Sequence, residues 1–258
     1  MFGFFKRRRR EKLREMPFPG AWAAVLERNV PYYRYLPHED QRELRRHVQV
    51  FLAEKNFEGC RGILMTDEIR VTVAGHACVL LLHRDTDYFP RLVTILVYPG
   101  AFVAKSIVQR HETFVVHGEE ARAGEAWQRG VVVLAWDSVD EGFRHPHDGQ
   151  NVILHEFAHQ LDLENGDADG FPADVPFALR RRWGHVLSAA YEQLCEDTAH
   201  GRRTLLHPYG ATDPAEFFAV ATEYFFERPD AVKAVHPDLY DVLSEYYCQD
   251  PGAVWGHY

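Results

Sequence analysis

The sequence predicts an α+β fold: a helical lead-in, a small mixed sheet, then a helical half. Three observations predict it. Leu44, Val48, Phe51 and Leu52 recur at helical spacing, several β-rich segments cluster between residues 92 and 139, and beyond residue 150 the apolar pattern turns helical. With 258 residues, 46% of them hydrophobic and 13% aromatic, the chain can bury a full core.

The elements follow in order. Residues 1–20 form a basic head ending in the breaker "PFPG", and residues 21–258 read as a single domain. The apolar repeat through Leu52 predicts a helix over 39–55. "VTVAGHACVLLL" (71–82) suits a helix or a buried strand, and periodicity does not choose between them. "LVTILVYP" (92–99), "ETFVVHG" (112–118) and "GVVVLAWDSV" (130–139) are rich in β-branched residues between turn signals, so they read as strands. A helix through "NVILHEFAHQLDLENGD" is closed by Asn165-Gly166. A second amphipathic helix covers 177–196. In "DPAEFFAVATEYFFERP", Asp213 is the N-cap, Pro214 opens the helix and Pro229 ends it. A last helix covers 238–248.

Charge is unevenly placed. Residues 1–16 carry seven Lys/Arg and two Asp/Glu, whereas the rest holds 22 Lys/Arg against 36 Asp/Glu, a formal −14. An acidic body argues against general nucleic-acid binding. The "FKRRRR" head suits an anionic membrane surface or a nucleic-acid patch, since aromatics beside basic residues serve both, but the plainer reading is a solvated, disordered tail. The head has no apolar region of signal-peptide length, and no run approaches the ~18 residues that span a bilayer. Cys60, Cys78, Cys195 and Cys248 are scattered without a Cys-x-x-Cys pair, as expected of reduced thiols in a cytoplasmic protein.

The chemistry sits in His155-Glu156-x-x-His159. On a helix the two imidazoles share a face one turn apart, where both reach one Zn²⁺, while Glu156 stands beside the open position as a base for water. The 15 histidines make a chance match expected in roughly one such chain in fifteen, so two coincidental core histidines remain an alternative. A third ligand is needed. Glu216 and Glu223, seven residues apart on one face of an apolar helix, both qualify, the other one then orienting a histidine. Asp162 follows His159 on the same face and reads either as the acceptor of a ligand's other ring N–H or as a solvated acid.

The blocks "NVILHEFAHQLD", "NGD" and "YGATDPAEFFAVATEYFF", with "YPGAFV" and "VLAWDSV" upstream, resemble the Mlc titration factor A family of bacterial zinc metallopeptidases over about residues 30–250. The resemblance implies a zincin-like metallopeptidase fold with one Zn²⁺ held by His155, His159 and Glu216, the last chosen over Glu223. It implies Glu156 as base, and Tyr209 as an oxyanion stabiliser, as in the similar anthrax lethal factor catalytic domain. Peptide or protein substrates, aminopeptidase-like activity and a transcriptional repressor (Mlc) as partner are implied as well. The expectation is therefore a zinc peptidase. Its alternative is a regulatory protein that sequesters a repressor, with zinc structural or gating.

Three further segments carry weaker signals. "NGDADG" (165–170) imitates a calcium loop, but Pro176 stands where the bidentate glutamate belongs, so it reads as a polar turn. "FRHPHDG" places His145 and His147 on a solvated turn next to the site. Val131–Trp136 reads as a core strand that, by analogy with zincins, could line the substrate cleft.

Overall fold

The computed structural model describes residues 2–100 and 130–256. Four helices come first: α1 (Phe2–Glu15), α2 (Gly20–Asn29), α3 (Pro31–Tyr35) and α4 (His38–Glu54). Strand β1 (Asn56–Gly59), helix α5 (Asp67–Val79) and strands β2 (Thr94–Tyr98) and β3 (Val131–Ala135) follow. Then come α6 (Trp136–Arg144), α7 (Val152–Asp162), α8 (Arg180–Ala199), α9 (Pro214–Glu227), α10 (Pro229–Val235), α11 (Pro237–Tyr247) and α12 (Pro251–Trp255).

The expected mixed sheet is corrected among the described strands: all three are parallel, in the order β1-β2-β3. Asn56 pairs with Thr94 and Thr94 with Val131. Parallel neighbours need a crossover, and α5 lies between β1 and β2 to supply it. Thr66 caps α5 by accepting from the Ile69 N–H at 3.3 Å, and Asp67 and Glu68 fill its first turn. From Val71 to Val79 every residue of α5 is buried, so no polar stripe marks the helix in the sequence. The strand expected to run to residue 139 stops at Ala135, and Trp136 opens α6 with Asp137 in its first turn. The strand expected over 112–118 lies outside the described residues.

Helix α9 is the centre of the helical half. Every residue from Ala215 to Glu227 is buried, including Phe217, Phe218, Phe225 and Phe226. Burying each phenylalanine contributes about 2–3 kcal/mol. The helices α9 to α12 each open on a proline, whose fixed φ suits a first turn and whose missing N–H costs nothing there. The expected cap is present, with Asp213 Oδ1 accepting from the Glu216 N–H at 2.9 Å. Among the described residues no helix is long and apolar enough to cross a membrane.

The basic head differs from the expected disordered tail: it forms α1 and packs along α4. The reason is Arg10, only 8% exposed. Its guanidinium pairs with both Glu54 carboxylate oxygens (2.8 and 2.7 Å) and with Asp87 Oδ1 (2.7 Å), and it stacks 4.6 Å from the Tyr88 ring centroid. Arg14 donates to the Tyr88 hydroxyl at 2.8 Å, and Lys6 to Asp87 at 2.9 Å. Truncating one partner of such a pair strands the other. Arg10→Ala should therefore cost about 3 kcal/mol in urea denaturation and free α1, read as rapid amide exchange over residues 4–15.

Candidate metal centre

Helix α7 is capped by Asn151, whose Oδ1 accepts from the Leu154 N–H at 3.1 Å. It ends at Asp162, a 3₁₀ turn covers Leu163–Asn165, and Gly166 closes it at φ 109°, as Asn165-Gly166 suggested. The helix lies against α9, and its histidines face the first turn of that helix. His155 Nε2 is 3.0 Å from Glu216 Oε2, His159 Nε2 is 3.2 Å from His155 Nε2, and His159 Nε2 is 3.4 Å from Glu216 Oε2.

Those three separations test whether the residues fit a metal. Ligand atoms at 2.0–2.1 Å from a tetrahedral ion lie about 3.3 Å apart, and a two-imidazole, one-carboxylate set is a common donor set for such an ion. The trio matches on both counts. All three side chains are buried, His159 completely. Burial opposes charge on His155, but Glu223 and Glu216 hold its pKa well above the ordinary imidazole value. Burial likewise works against the Glu216 carboxylate, and His155 and His159 outweigh it, lowering its pKa far below the usual range.

The other expected residues divide between two positions. Glu223 Oε1 lies 2.8 Å from His155 Nδ1, so Glu223 orients the imidazole while Glu216 meets its Nε2. Asp162 is fully buried beside His159, and burial raises its carboxyl to about 6. Asp162 Oδ2 accepts from the Gly170 N–H at 2.8 Å, so its hydrogen bond serves the loop after the helix. Glu156 is half-buried on the next position of α7, and its charge reaches Tyr209. Tyr209 sits on a 3₁₀ turn (Pro208–Ala211), its ring centroid 6.0 Å from that of His155. Burial, then the neighbouring Glu216 to which its side chain hydrogen-bonds, push the phenol well above its ordinary pKa.

Two residues that sequence reasoning missed complete the arrangement. Glu227, one turn beyond Glu223, accepts from Asn151 Nδ2 at 3.0 Å and from the Gly149 N–H at 3.1 Å. Burial raises its pKa well above the ordinary carboxylate value. Asn151 also donates its backbone N–H to Glu223 Oε2 at 2.5 Å, and its Nδ2 lies 3.2 Å from His76 Nδ1. Gly149 has φ +88°, and an added Cβ would come within 2.7 Å of the Tyr224 ring, so only glycine lets this N–H reach Glu227. The signal for Glu227 was the third glutamate on one face of an apolar helix.

The remaining motifs resolve as turns. In "NGDADG" the Asp167 N–H donates to Asn165 Oδ1 and the Phe171 N–H to Asp169 Oδ1, the bonds of a polar turn. His147 meets the Trp255 ring edge to face at 4.6 Å and lines an open surface cleft with Tyr35, Glu227 and Arg228. His145 is exposed, with Nδ1 3.2 Å from the Glu141 carbonyl. A second cluster, Asp40, Glu43 and His83, is partly exposed and joined by a 3.0 Å ion pair between Asp40 and His83.

The chain matches the glucose-regulated metallo-peptidase M90 family over residues 4–248. It belongs to that family. An uncharacterized protein of Synechocystis sp. is 40% identical to it over 244 residues, covering 94% of this chain and 89% of its own. Mlc titration factor A of Serratia proteamaculans is 33% identical over 218 residues, 82% of each chain. That of Cronobacter sakazakii is 32% identical over 238 residues, 90% of this chain and 87% of its own. The resemblance read from the two motif blocks is thus borne out along most of the chain. The family is one of metallopeptidases, and His155, His159 and Glu216 are the buried cluster among the described residues that suits its metal ion.

The network around Asn151 predicts a pH dependence. His76 is buried, its Nε2 lies 2.9 Å from the Asn29 carbonyl, and burial lowers its pKa to about 4 against 6.5 unfolded. Between those values the native state binds fewer protons than the unfolded state, so this contribution is present above pH 6.5 and is lost as pH falls toward 4. Urea titrations should show wild type losing about 2 kcal/mol from this group between pH 7 and pH 5. His76→Gln should lack that increment. An equal pH slope in the two proteins would contradict the assignment.

Proposed function

We propose that this chain is a zinc-dependent peptidase in which His155, His159 and Glu216 hold the ion and Glu156 is the general base. The observation that carries the reading is the convergence of three ligand atoms, 3.0 to 3.4 Å apart, beside a carboxylate on the next helix position. Zinc, when bound there, supplies a Lewis acid and a water of lowered pKa. Glu156 takes the proton of the attacking water and delivers it to the leaving amine. Tyr209, its proton held tightly by burial and by Glu216, donates to the oxygen that gains charge as the carbonyl is attacked. Glu223 keeps the His155 ring in the orientation that turns Nε2 toward the ion.

A second reading is supported by the name that the Serratia and Cronobacter relatives carry, Mlc titration factor A. On that reading the chain sequesters a transcriptional repressor, and the two roles are compatible. A base beside the metal position serves hydrolysis and adds nothing to sequestration, which places the peptidase first.

Glu156→Gln should retain one zinc by elemental analysis and lose about 10²–10⁴-fold in kcat on a peptide library. His155→Ala should lose both metal and turnover. Wild-type cleavage by Glu156→Gln would remove Glu156 from the mechanism. A zinc-loaded wild type that cleaves nothing in the library would put the sequestering role first.

A further inference from the structure

We propose that α1 is a docking element for an anionic lipid surface, with Phe4 and Phe5 entering the headgroup region and Arg8 and Lys12 pairing with lipid phosphates. The observation behind it is that this basic segment is an ordered helix with two different faces. Lys6, Arg10 and Arg14 are turned to the body of the protein, held by Asp87, Glu54 and Tyr88. Leu13 packs on the core beside them. On the other side Phe4, Arg8 and Lys12 recur every four residues, flanked by Phe5 and Arg9, so they form one outward stripe.

The phenylalanines of that stripe face solvent. Phe4 is 67% exposed and Phe5 61%, among the most exposed large apolar side chains described. Their rings meet edge to face at 6.0 Å, a compact apolar tip at the start of the helix. Arg7, Arg8, Arg9 and Lys12 surround the tip or continue from it, against two acids, Glu11 and Glu15, on the same exposed surface. Arg7 pairs with Glu11 at 3.5 Å, and Arg9 reaches the Ala53 carbonyl at 3.3 Å, which leaves Arg8 and Lys12 as the cations best placed for a partner.

Stable attachment to a bilayer surface takes two weak signals together, an apolar insertion and a basic patch. Helix α1 offers both on one side, and the buried Arg10 fixes which side that is. Each basic residue near an anionic leaflet raises partitioning roughly fivefold. A nucleic-acid duplex is the less suitable partner: its phosphate backbone engages cations alone, and its stacked bases leave two exposed rings unused. The inference does not depend on the metal centre or on the peptidase reading.

The test is sedimentation of the full-length chain with phosphatidylcholine vesicles, with and without about one-third phosphatidylglycerol. Binding should appear with the anionic vesicles only and weaken as salt rises. Phe4→Ser/Phe5→Ser should lower partitioning about tenfold or more at unchanged salt, and Arg8→Gln/Lys12→Gln should lower it comparably and flatten the salt dependence. Both pairs are exposed, so circular dichroism and urea midpoints should match wild type. Failure to bind anionic vesicles would overturn the proposal. So would wild-type binding by the serine pair, which marks attraction to any polyanion, a property that duplex DNA would then share.

Discussion

Glu216, Glu223 and Glu227 lie along one face of a helix whose other residues are almost all apolar, and all three are buried. A carboxylate taken out of water without partners costs several kcal/mol, more than a single apolar contact returns. The packing of α7 on α9 follows from meeting that cost three times. Glu216 faces His155 and His159, Glu223 faces His155 and the Asn151 N–H, and Glu227 faces the Asn151 amide and the Gly149 N–H. Apolar side chains tolerate a sliding register, whereas these donors and acceptors permit one. The polar face therefore sets where the histidines stand.

The three glutamates share a chemical type but not an electrostatic environment. Glu216 sits against two imidazoles and is held ionised far below the usual carboxylate range. Glu227, farther along the helix and facing neutral donors, has its pKa raised by burial. The difference is positive charge: two ring nitrogens and a carboxylate oxygen within 3.4 Å of one another are stable only when protons or a cation lie among them. Positive neighbours therefore favour the charged carboxylate at the end of α9 that meets His155 and His159, while burial opposes it at the far end.

Much of this was legible in the sequence because it depends on spacing within one helix. The pairing of His155 with His159, the Asp213 cap, Pro214 at the first helical position and Gly166 as terminator are local rules, and each is present in the structure. The choice between Glu216 and Glu223 was not local. Seven residues apart, they share a face, and only the rise of α9 past α7 decides which oxygen meets Nε2 and which meets Nδ1. Asn151 and Glu227 were missed for the same reason, since their partners come from different elements. Strand β1, "NFEG", has a single strong β-former and is defined by its pairing with β2. Helix α1 was misread because its order comes from Glu54, Asp87 and Tyr88, none of them near it in sequence.

The same tertiary bonds explain why the centre can be rigid although the loops on either side of α7 are polar. At the start of α7, Asn151 caps the helix with its side-chain oxygen and fastens it to α9 through its backbone N–H and its amide nitrogen. At its end, Asp162 Oδ2 accepts from the Gly170 N–H, and the Gly170 carbonyl accepts from Trp183 Nε1 at 3.1 Å. Gly170 itself, at φ +74°, passes so close to the Pro214 carbonyl that an added Cβ would lie 2.5 Å from that oxygen. The loop after α7 is thereby pressed against the first residue of α9, two positions before Glu216. His155 and His159 are thus suspended between two attachments to the helix that carries their carboxylate partner. A metal site needs its ligands held to within about 0.5 Å before the ion arrives. Here that order is supplied by residues outside the His155, His159 and Glu216 trio: the asparagine before the motif and the glycine after it fix where the proposed ligands stand.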